Sequence, residues 1–210
     1  MGKAYANRKK ESERPKNDFY ETPYACTEVL INMLAGVSRE SIILDPCCGN
    51  KRIGDILRKY HFRNIIERDI TSGYDFLDDT TKKKFYDIII MNPPFKLFDD
   101  FVIRAKGISN HTIVLGKLDY FCCHNRNVSG LWEHLKYVCP FDRKIAYDKP
   151  FRNDGRFECG MLNTGWFIFD NVYKGLPMIQ ILDVQKYVLK KAIKKNNTKY
   201  YFSIDKLYVT

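Results

Sequence analysis

The sequence lacks the long apolar run that a membrane-spanning helix requires, and its first residues contain no stretch typical of a signal peptide. It has no CxxC pair, and its seven cysteines are odd in number, which argues against a zinc site and a disulfide framework. The GxGxxG and GxxxxGK[ST] loops that bind dinucleotide and ATP phosphates are also missing. We therefore expect a soluble, cytoplasmic protein with reduced, mostly buried thiols and no metal.

The composition is that of an ordinary globular chain. Of the 210 residues, 45% are hydrophobic and 29% are charged, which is enough apolar material for one core. Residues 1–17 are polar and aperiodic, so we expect them to be disordered and residues 18–210 to form a single domain.

Positive charge is concentrated at the two ends. The net charge is +10; residues 1–17 carry six Lys or Arg and two Glu, and residues 182–210 carry seven Lys and two Asp. The lysines of 186–199 are interspersed with apolar residues at helical spacing, which predicts an amphipathic helix with a basic face. Such ends favour a polyanionic partner, nucleic acid above all, because binding phosphates releases counterions. A merely solvated fringe is the alternative.

Apolar strand-like runs alternate with helical patterns, which predicts an α/β fold. The expected architecture is a Rossmann-like, doubly wound, mostly parallel sheet that ends in an antiparallel edge hairpin. The predicted helices are 24–36, closed by Gly36, then 53–60, 98–108 and 129–138, with a polar loop at 124–126. The predicted strands are 41–45, 63–70, 86–92 and 111–118, followed by 143–151 and 163–170 as the hairpin.

Polar residues follow the predicted strands where each strand ends. Asp45-Pro46-Cys47-Cys48-Gly49-Asn50 follows the first, Glu67 and Asp69 the second, and Asn92-Pro93-Pro94-Phe95 the third, while Asp75 and Phe76 come from a loop between. Ligands of open α/β sheets bind beyond the carboxyl ends of the strands. A carboxylate after the second strand can accept hydrogen bonds from both ribose hydroxyls, and we assign this role to Asp69. Glu67 is the alternative, although strand alternation points it sideways.

With the usual NAD and ATP anchors missing, the remaining adenosine cofactor is S-adenosylmethionine. The chain resembles the class I S-adenosylmethionine-dependent methyltransferases, and within them the phage-type DNA adenine-N6 methyltransferases. The resemblance covers most of the chain and rests on DFYETP at 18–23, LDPCCGN at 44–50, the acid at 69, GYDFLD at 73–78, MNPPF at 91–95 and WFIFDNVYKGLP at 166–177.

The resemblance implies a set of cofactor-binding residues. Tyr20, Thr22 and Pro23 would line the methionine end. Asp45, Pro46, Cys47 and Gly49 would form the turn beneath it, and Asp75 and Phe76 would contact the adenine. Lys51 departs from the family pattern D-P-x-x-G-x-G, which has glycine at that position, and glycine is the residue that allows the backbone to approach a ligand most freely.

The chemistry of Asn92-Pro93-Pro94-Phe95 can be argued from the residues themselves. An adenine amino group is a poor nucleophile because its lone pair is delocalised into the ring. Acceptors aimed at its two N–H bonds, the side-chain oxygen of Asn92 and the backbone carbonyl of Pro93, would localise that lone pair, with the two prolines fixing the turn. Phe95 would stack on the extruded base.

Contacts to the substrate outside this motif are harder to identify. Lys117 and Tyr120 lie at the end of the fourth predicted strand and are candidates for DNA contact. Arg152, Asn153 and Arg156 lie in a polar loop that could contact base edges or phosphates.

We expect a small solitary methyltransferase that acts on adenine N6 in DNA, with a short target or relaxed specificity. The same chemistry on RNA adenine or on a protein glutamine amide stays open, because an amide presents the same two N–H groups. A non-catalytic nucleic-acid-binding relative also stays open, and Lys51 is its only support.

Overall fold

The computed structural model describes residues 20–78, 85–147 and 158–184. Its helices are α1 (Tyr24–Glu28), α2 (Arg52–Lys59), α3 (Phe98–Ile108) and α4 (His124–Val128). Its strands are β1 (Ile42–Asp45), β2 (Asn64–Glu67), β3 (Tyr86–Met91), β4 (Ser109–Lys117), β5 (Leu135–Pro140), β6 (Thr164–Asp170) and β7 (Met178–Ile179).

These strands form one mixed sheet with the order β2-β1-β3-β4-β6-β5-β7. Within the described ranges, β6 alone runs antiparallel, between β4 and β5, and the other strands are parallel to one another. The expected mostly parallel, Rossmann-like sheet is confirmed, and its antiparallel strand β6 is separated from the edge strand β7 by β5.

Both faces of the sheet are covered. Ile88 and Ile90 of β3 belong to the core on the side of α1 and α2, whereas Ile89 and Met91 belong to the core on the side of α3. A strand that is buried on both faces needs apolar residues at successive positions, which explains the unbroken run Ile88 to Met91. Trp166 and Phe167 are fully buried in the two cores. No helix in these ranges is long and apolar enough to cross a membrane.

Two local predictions are wrong, and a third is confirmed in part. The predicted helix at 24–36 is helical from Tyr24 to Leu34, as α1 followed by a 3-10 helix. The predicted helix at 129–138 is a turn followed by β5, because Gly130 and His134 adopt left-handed φ angles of 75° and 65° that interrupt a helix. The predicted loop at 124–126 belongs to α4.

The hairpin has a different first strand from the expected one. Within 143–147, only Ile145 pairs, through isolated bridges to Cys159 and Leu162, and 148–151 lie outside the described residues. The second strand is confirmed as β6, whose partners are β4 and β5. All of residues 1–17 and residues 185–210, with the lysines of the predicted basic helix, also fall outside the described ranges.

Candidate active site

A cavity of about 200 Å³ lies beyond the carboxyl ends of β1, β2 and β3. It is lined by the segment before α1, the β1–α2 turn, the residues after β2 and the residues after β3: Tyr20, Glu21, Thr22, Cys47, Cys48, Gly49, Asn50, Arg52, Ile53, Asp69, Ile70, Thr71, Asn92 and Pro94. Parallel strands end at one edge of the sheet, so groups that are far apart in sequence meet here. The structure thus brings together seven predicted residues on this cavity: Tyr20, Thr22, Cys47, Gly49, Asp69, Asn92 and Pro94.

The β1–α2 turn forms the floor of the cavity. Asp45, only 1% exposed, accepts a hydrogen bond from the backbone N–H of Cys47 at 3.3 Å. Gly49 has a φ angle of 46°, and Lys51, which precedes α2, has a φ angle of 61°. The Lys51 position therefore has the left-handed backbone that favours glycine, at a cost of roughly 1–2 kcal/mol for another residue. The Lys51 side chain is exposed, lies 3.9 Å from Glu67 and does not line the cavity.

The turn carries three groups with raised pKa values. Burial raises the pKa of Asp45 to about 8, and the nearby charges of Glu67 and Asp69 add to this effect. Burial also raises the pKa of Cys47 well above its ordinary value, and that of Cys48 to about 11. Both thiols are therefore protonated at neutral pH, which argues against a thiolate nucleophile in this turn. All seven cysteines are free, but only Cys26 and Cys139 are fully buried, fewer than expected.

Asp69 links the end of β2 to the β1–α2 turn. Its Oδ2 accepts a hydrogen bond from the Gly49 N–H at 2.9 Å, and its Oδ1 accepts from the N–H and hydroxyl of Thr71 at 2.9 and 2.7 Å. Burial raises the pKa of Asp69, but these hydrogen bonds outweigh burial and hold the pKa below its ordinary value. A carboxylate accepts about four hydrogen bonds, so one position on Oδ2 remains for a ligand.

Glu67, the alternative acid, points elsewhere. It forms a bidentate ion pair with Arg58 of α2, and its side chain is 7% exposed. It does not line the cavity. Between the two acids, Asp69 has the better position to meet a ligand.

Asn92 lies at the end of β3 with its amide held in one orientation. Its Nδ2 donates a hydrogen bond to the backbone carbonyl of Tyr20 at 2.7 Å. Only the nitrogen end of the amide can donate to a carbonyl, so this contact defines which end carries the acceptor oxygen. Pro93, the next residue, is buried, and Pro94 lines the cavity.

Phe95 is 7% exposed, and two side chains contact its ring. The Tyr20 ring stacks on it with centroids 5.7 Å apart and planes at 27°, and the Lys117 Nζ lies 4.6 Å from its ring centroid. Tyr120 is also 7% exposed, and its hydroxyl donates to the Phe95 carbonyl at 3.0 Å. In this structure Tyr120 supports the Phe95 turn from inside the core.

Residues 20–24 contact the β1–α2 turn and α2 on the other side of the cavity through hydrogen bonds and an ion pair. Glu21 accepts a hydrogen bond from the Asn50 side chain and forms an ion pair with Arg52. The Tyr24 ring lies beneath the Arg52 guanidinium, and the Tyr24 hydroxyl donates to Asp55 at 3.1 Å. We call residues Tyr20 to Tyr24 the strap. The strap joins the cavity floor to Asn92 through the carbonyl of Tyr20.

Four further candidates, Asp75, Phe76, Pro23 and Pro46, do not line the cavity. Asp75 accepts a hydrogen bond from the Leu77 N–H at 2.9 Å, and Phe76 packs on Phe101 with centroids 5.1 Å apart in the core. Buried Pro23 precedes α1, and buried Pro46 follows β1. Arg152, Asn153 and Arg156 lie outside the described residues.

Sequence reasoning missed Glu21, Asn50, Arg52 and Thr71. Glu21 lies inside the DFYETP motif and Asn50 inside the β1–α2 turn, so both are adjacent to predicted residues. Their contact joins residues 29 positions apart, and such a contact leaves no local pattern in the sequence. In the part of the chain that the structure describes, no three His, Cys, Asp or Glu side chains cluster as a metal site would.

No protein-family model matches the chain, and no curated protein matches its sequence. Solved methyltransferase structures do match its fold. The methyltransferase subunit of a type I restriction-modification system from Streptococcus thermophilus has a TM-score of 0.57 at 10% identity, over 86% of this chain and 54% of the subunit. The M protein of the type I restriction enzyme EcoKI has a TM-score of 0.53 at 13% identity, over 72% of this chain and 44% of that protein.

A candidate RNA methyltransferase from Pyrococcus horikoshii has a TM-score of 0.52 at 16% identity, over 77% of this chain and 91% of the other. At such identities the similarity establishes the fold alone. The chain therefore has the Rossmann-like fold of these methyltransferases, and it spans about half the length of the two restriction-modification subunits.

Proposed function

We propose that the protein is an S-adenosylmethionine-dependent methyltransferase that modifies the exocyclic N6 of adenine in DNA. The observation that carries this proposal is the fixed amide of Asn92 at the end of β3, beside the cavity that Asp69 lines. The oriented amide offers an acceptor oxygen to an amino group, and the cavity offers a place for the methyl donor. The methyltransferase fold supports the assignment of the cavity to the methyl donor and of Asn92 to the amino group.

The donor groups around the cavity fit S-adenosylmethionine. Asp69 Oδ2 retains one acceptor position for a ribose hydroxyl, and the adjacent Thr71 hydroxyl can bond the second. Glu21 and Arg52 carry opposite charges on the cavity wall, matching the ammonium and carboxylate of the methionine end. When bound, this cofactor supplies an electrophilic methyl group on a positively charged sulfur.

The protein's own contribution is to orient and activate the amino group. In this mechanism Asn92 Oδ1 and the Pro93 carbonyl each accept a hydrogen bond from one N–H of the amino group, which favours tetrahedral geometry at nitrogen and localises its lone pair. Because Nδ2 is held by Tyr20, the oxygen needs no reorientation when the base arrives. Catalysis then depends mainly on positioning.

Two alternatives use the same site. RNA adenine and a glutamine amide also present two N–H bonds, and the site chemistry accepts either.

The non-catalytic alternative rested on Lys51, whose side chain lies outside the cavity lining and leaves the space for a cofactor open.

The test is methyl transfer from isotopically labelled S-adenosylmethionine to plasmid DNA by the purified full chain. Nucleosides from digested DNA are identified by mass spectrometry, and long-read mapping locates the modified positions. N6-methyladenine supports the proposal. A methylated cytosine, or transfer only to RNA or protein, contradicts the substrate assignment, and failure to bind the cofactor contradicts the enzyme itself.

A further inference from the structure

The carbonyl that holds the Asn92 amide belongs to the peptide group between Tyr20 and Glu21. It accepts the hydrogen bond from Asn92 Nδ2 at 2.7 Å. A peptide group is planar, so this carbonyl changes direction only when the whole group rotates about the bonds that join it to the Cα atoms of Tyr20 and Glu21. The contacts of these two residues therefore determine whether the carbonyl faces Asn92.

The Tyr20 side of this peptide group is held by aromatic contacts. The Tyr20 ring stacks on Phe95, and the Tyr147 ring meets it edge-on with centroids 6.1 Å apart. Tyr147 is itself buried, and its hydroxyl donates to the Thr164 hydroxyl at 2.8 Å. These contacts hold the Tyr20 ring, but a ring contact does not by itself fix the rotation of the peptide group that follows.

The Glu21 side is held by polar contacts across the cavity. The Glu21 carboxylate accepts a hydrogen bond from the Asn50 side chain and forms an ion pair with Arg52. Asn50 and Arg52 flank Lys51, whose N–H donates to the Cys48 carbonyl at 2.7 Å within the β1–α2 turn. The side chains of Arg52 and Glu21 are 31% and 25% exposed, so water screens their attraction less than that of a surface pair.

We propose that Glu21 is a positioning residue, which acts through the Tyr20–Glu21 peptide group to keep the Asn92 oxygen directed at the amino group of the substrate. The catalytic part of this inference rests on the proposed methyltransferase function. Without the contacts of the Glu21 side chain, the peptide group rotates more readily and its carbonyl leaves Asn92. The Asn92 amide can then turn over and present N–H donors where the mechanism needs an acceptor.

The first measurement needs neither cofactor nor substrate. In the ¹⁵N NMR spectrum of the full chain, the side-chain amide signal that Asn92→Ala removes belongs to Asn92. We expect Glu21→Ala to speed hydrogen exchange of this amide by about tenfold, because its bond to the Tyr20 carbonyl opens more often. Glu21→Gln should keep the exchange slow, since its amide oxygen still accepts a hydrogen bond from Asn50.

Glu40→Ala is the matched control for the loss of a Glu–Arg pair. Glu40 pairs with Arg63 at 2.6 Å, but the two side chains are 58% and 73% exposed and neither lines the cavity. This substitution should leave the exchange of the Asn92 amide unchanged. Asn50→Ala, which removes one of the Glu21 contacts, should speed the exchange less than Glu21→Ala does, and it replaces Glu21→Ala if that variant does not fold.

The second measurement is single-turnover methyl transfer at saturating S-adenosylmethionine. The substrate is an oligodeoxynucleotide that carries an adenine methylated by the wild-type protein in mapped plasmid DNA. A displacement of about 1 Å at a reacting group costs up to about 10²-fold in rate, and we expect Glu21→Ala to cost about tenfold. Saturation removes the effect of weaker cofactor binding. Glu21→Gln should retain a rate within about threefold of wild type, because Asn50 still holds the side chain.

A double-mutant cycle shows whether Glu21 acts through Asn92. Once Asn92→Ala has removed the amide, Glu21→Ala should change the transfer rate by less than about twofold, because residues that act through one group are not additive. A tenfold effect of Glu21→Ala in both backgrounds overturns the inference.

Two other results also overturn it. One is exchange of the Asn92 amide that is as slow in folded Glu21→Ala as in wild type. The other is a transfer rate that returns to the wild-type value at saturating cofactor, because Glu21 would then serve cofactor binding alone. A wild-type protein that methylates no adenine overturns the proposed function instead, and the exchange measurement, which requires no activity, keeps the two failures distinguishable.

Discussion

Asn92 and Tyr20, 72 positions apart, are joined by a hydrogen bond of 2.7 Å from the Asn92 side-chain nitrogen to the Tyr20 backbone carbonyl. This bond connects the end of β3 to the strap. It orients the amide oxygen that the proposed mechanism requires.

Replacing Asn92 with Ala should lower single-turnover methyl transfer by about 10²–10³-fold, because a positioned acceptor in the transition state is lost. Cofactor affinity should largely survive. Asn171→Ala is the matched control, since its amide also donates to backbone carbonyls, those of Lys106 and Ser109, but far from the cavity. Near wild-type turnover by folded Asn92→Ala protein would contradict the mechanism.

Asp69→Ala should weaken S-adenosylmethionine binding by roughly tenfold or more, the scale of lost charge-assisted hydrogen bonds. Isothermal titration calorimetry measures the effect. Glu67→Gln serves as the control, because Glu67 is paired with Arg58 and does not line the cavity. If Glu67→Gln weakens binding and Asp69→Ala does not, the ribose assignment must move to Glu67.

The Glu21–Arg52 pair should contribute to cofactor affinity. Arg52→Met removes the ion pair that joins Glu21 of the strap to the start of α2, and we expect a several-fold loss of cofactor affinity. Arg63→Met is matched to it, because Arg63 pairs with Glu40 on the surface at 2.6 Å, and such exposed pairs contribute about 0–1 kcal/mol. If the two substitutions had equal effects on cofactor binding, the Glu21–Arg52 pair would have no specific role in binding the cofactor.

Because of Asp45, we expect the free energy of unfolding to fall as pH rises. Its folded pKa of about 8 exceeds the unfolded value near 3.9, so the folded state holds a proton that the unfolded chain has released. The stabilising contribution is therefore complete below about pH 4 and is lost progressively up to about pH 8. Urea unfolding of wild type and Asp45→Asn at several pH values measures this difference.

Asp45→Asn should remove this part of the pH dependence, because an amide is neutral throughout the range. A wild-type stability that is flat between pH 5 and about pH 8, or a variant with the same slope as wild type, would show that Asp45 is ionised in the folded protein.

Lys51→Gly should leave cofactor affinity within about twofold of wild type, a difference of only a few tenths of a kcal/mol. The reason is that the Lys51 side chain lies outside the cavity lining. Lys51→Ala separates loss of the side chain from relief of the left-handed backbone. A large gain in affinity for the glycine variant alone would show that the backbone strain at this position impairs the site.

The local sequence determined much of the sheet and part of the site. Apolar runs located β1, β3, β4 and β6 because strands buried on both faces require apolar residues at successive positions. The same periodicity predicted α3 over its observed residues 98–108. Placing Asp69 and Asn92 after strands was sufficient to bring them to one cavity, since parallel strands end at the same edge.

Tertiary structure decided what depends on distant partners. Residues 135–138 belong to the predicted helix 129–138 but form part of β5, because pairing with β6 and the left-handed His134 outweigh local propensity. The amide of Asn92 is oriented by a carbonyl 72 residues away, and the Phe95 ring is covered by Tyr20 and Lys117. Local sequence supplies the hydrogen-bonding groups and rings, whereas chain folding alone determines which of them meet.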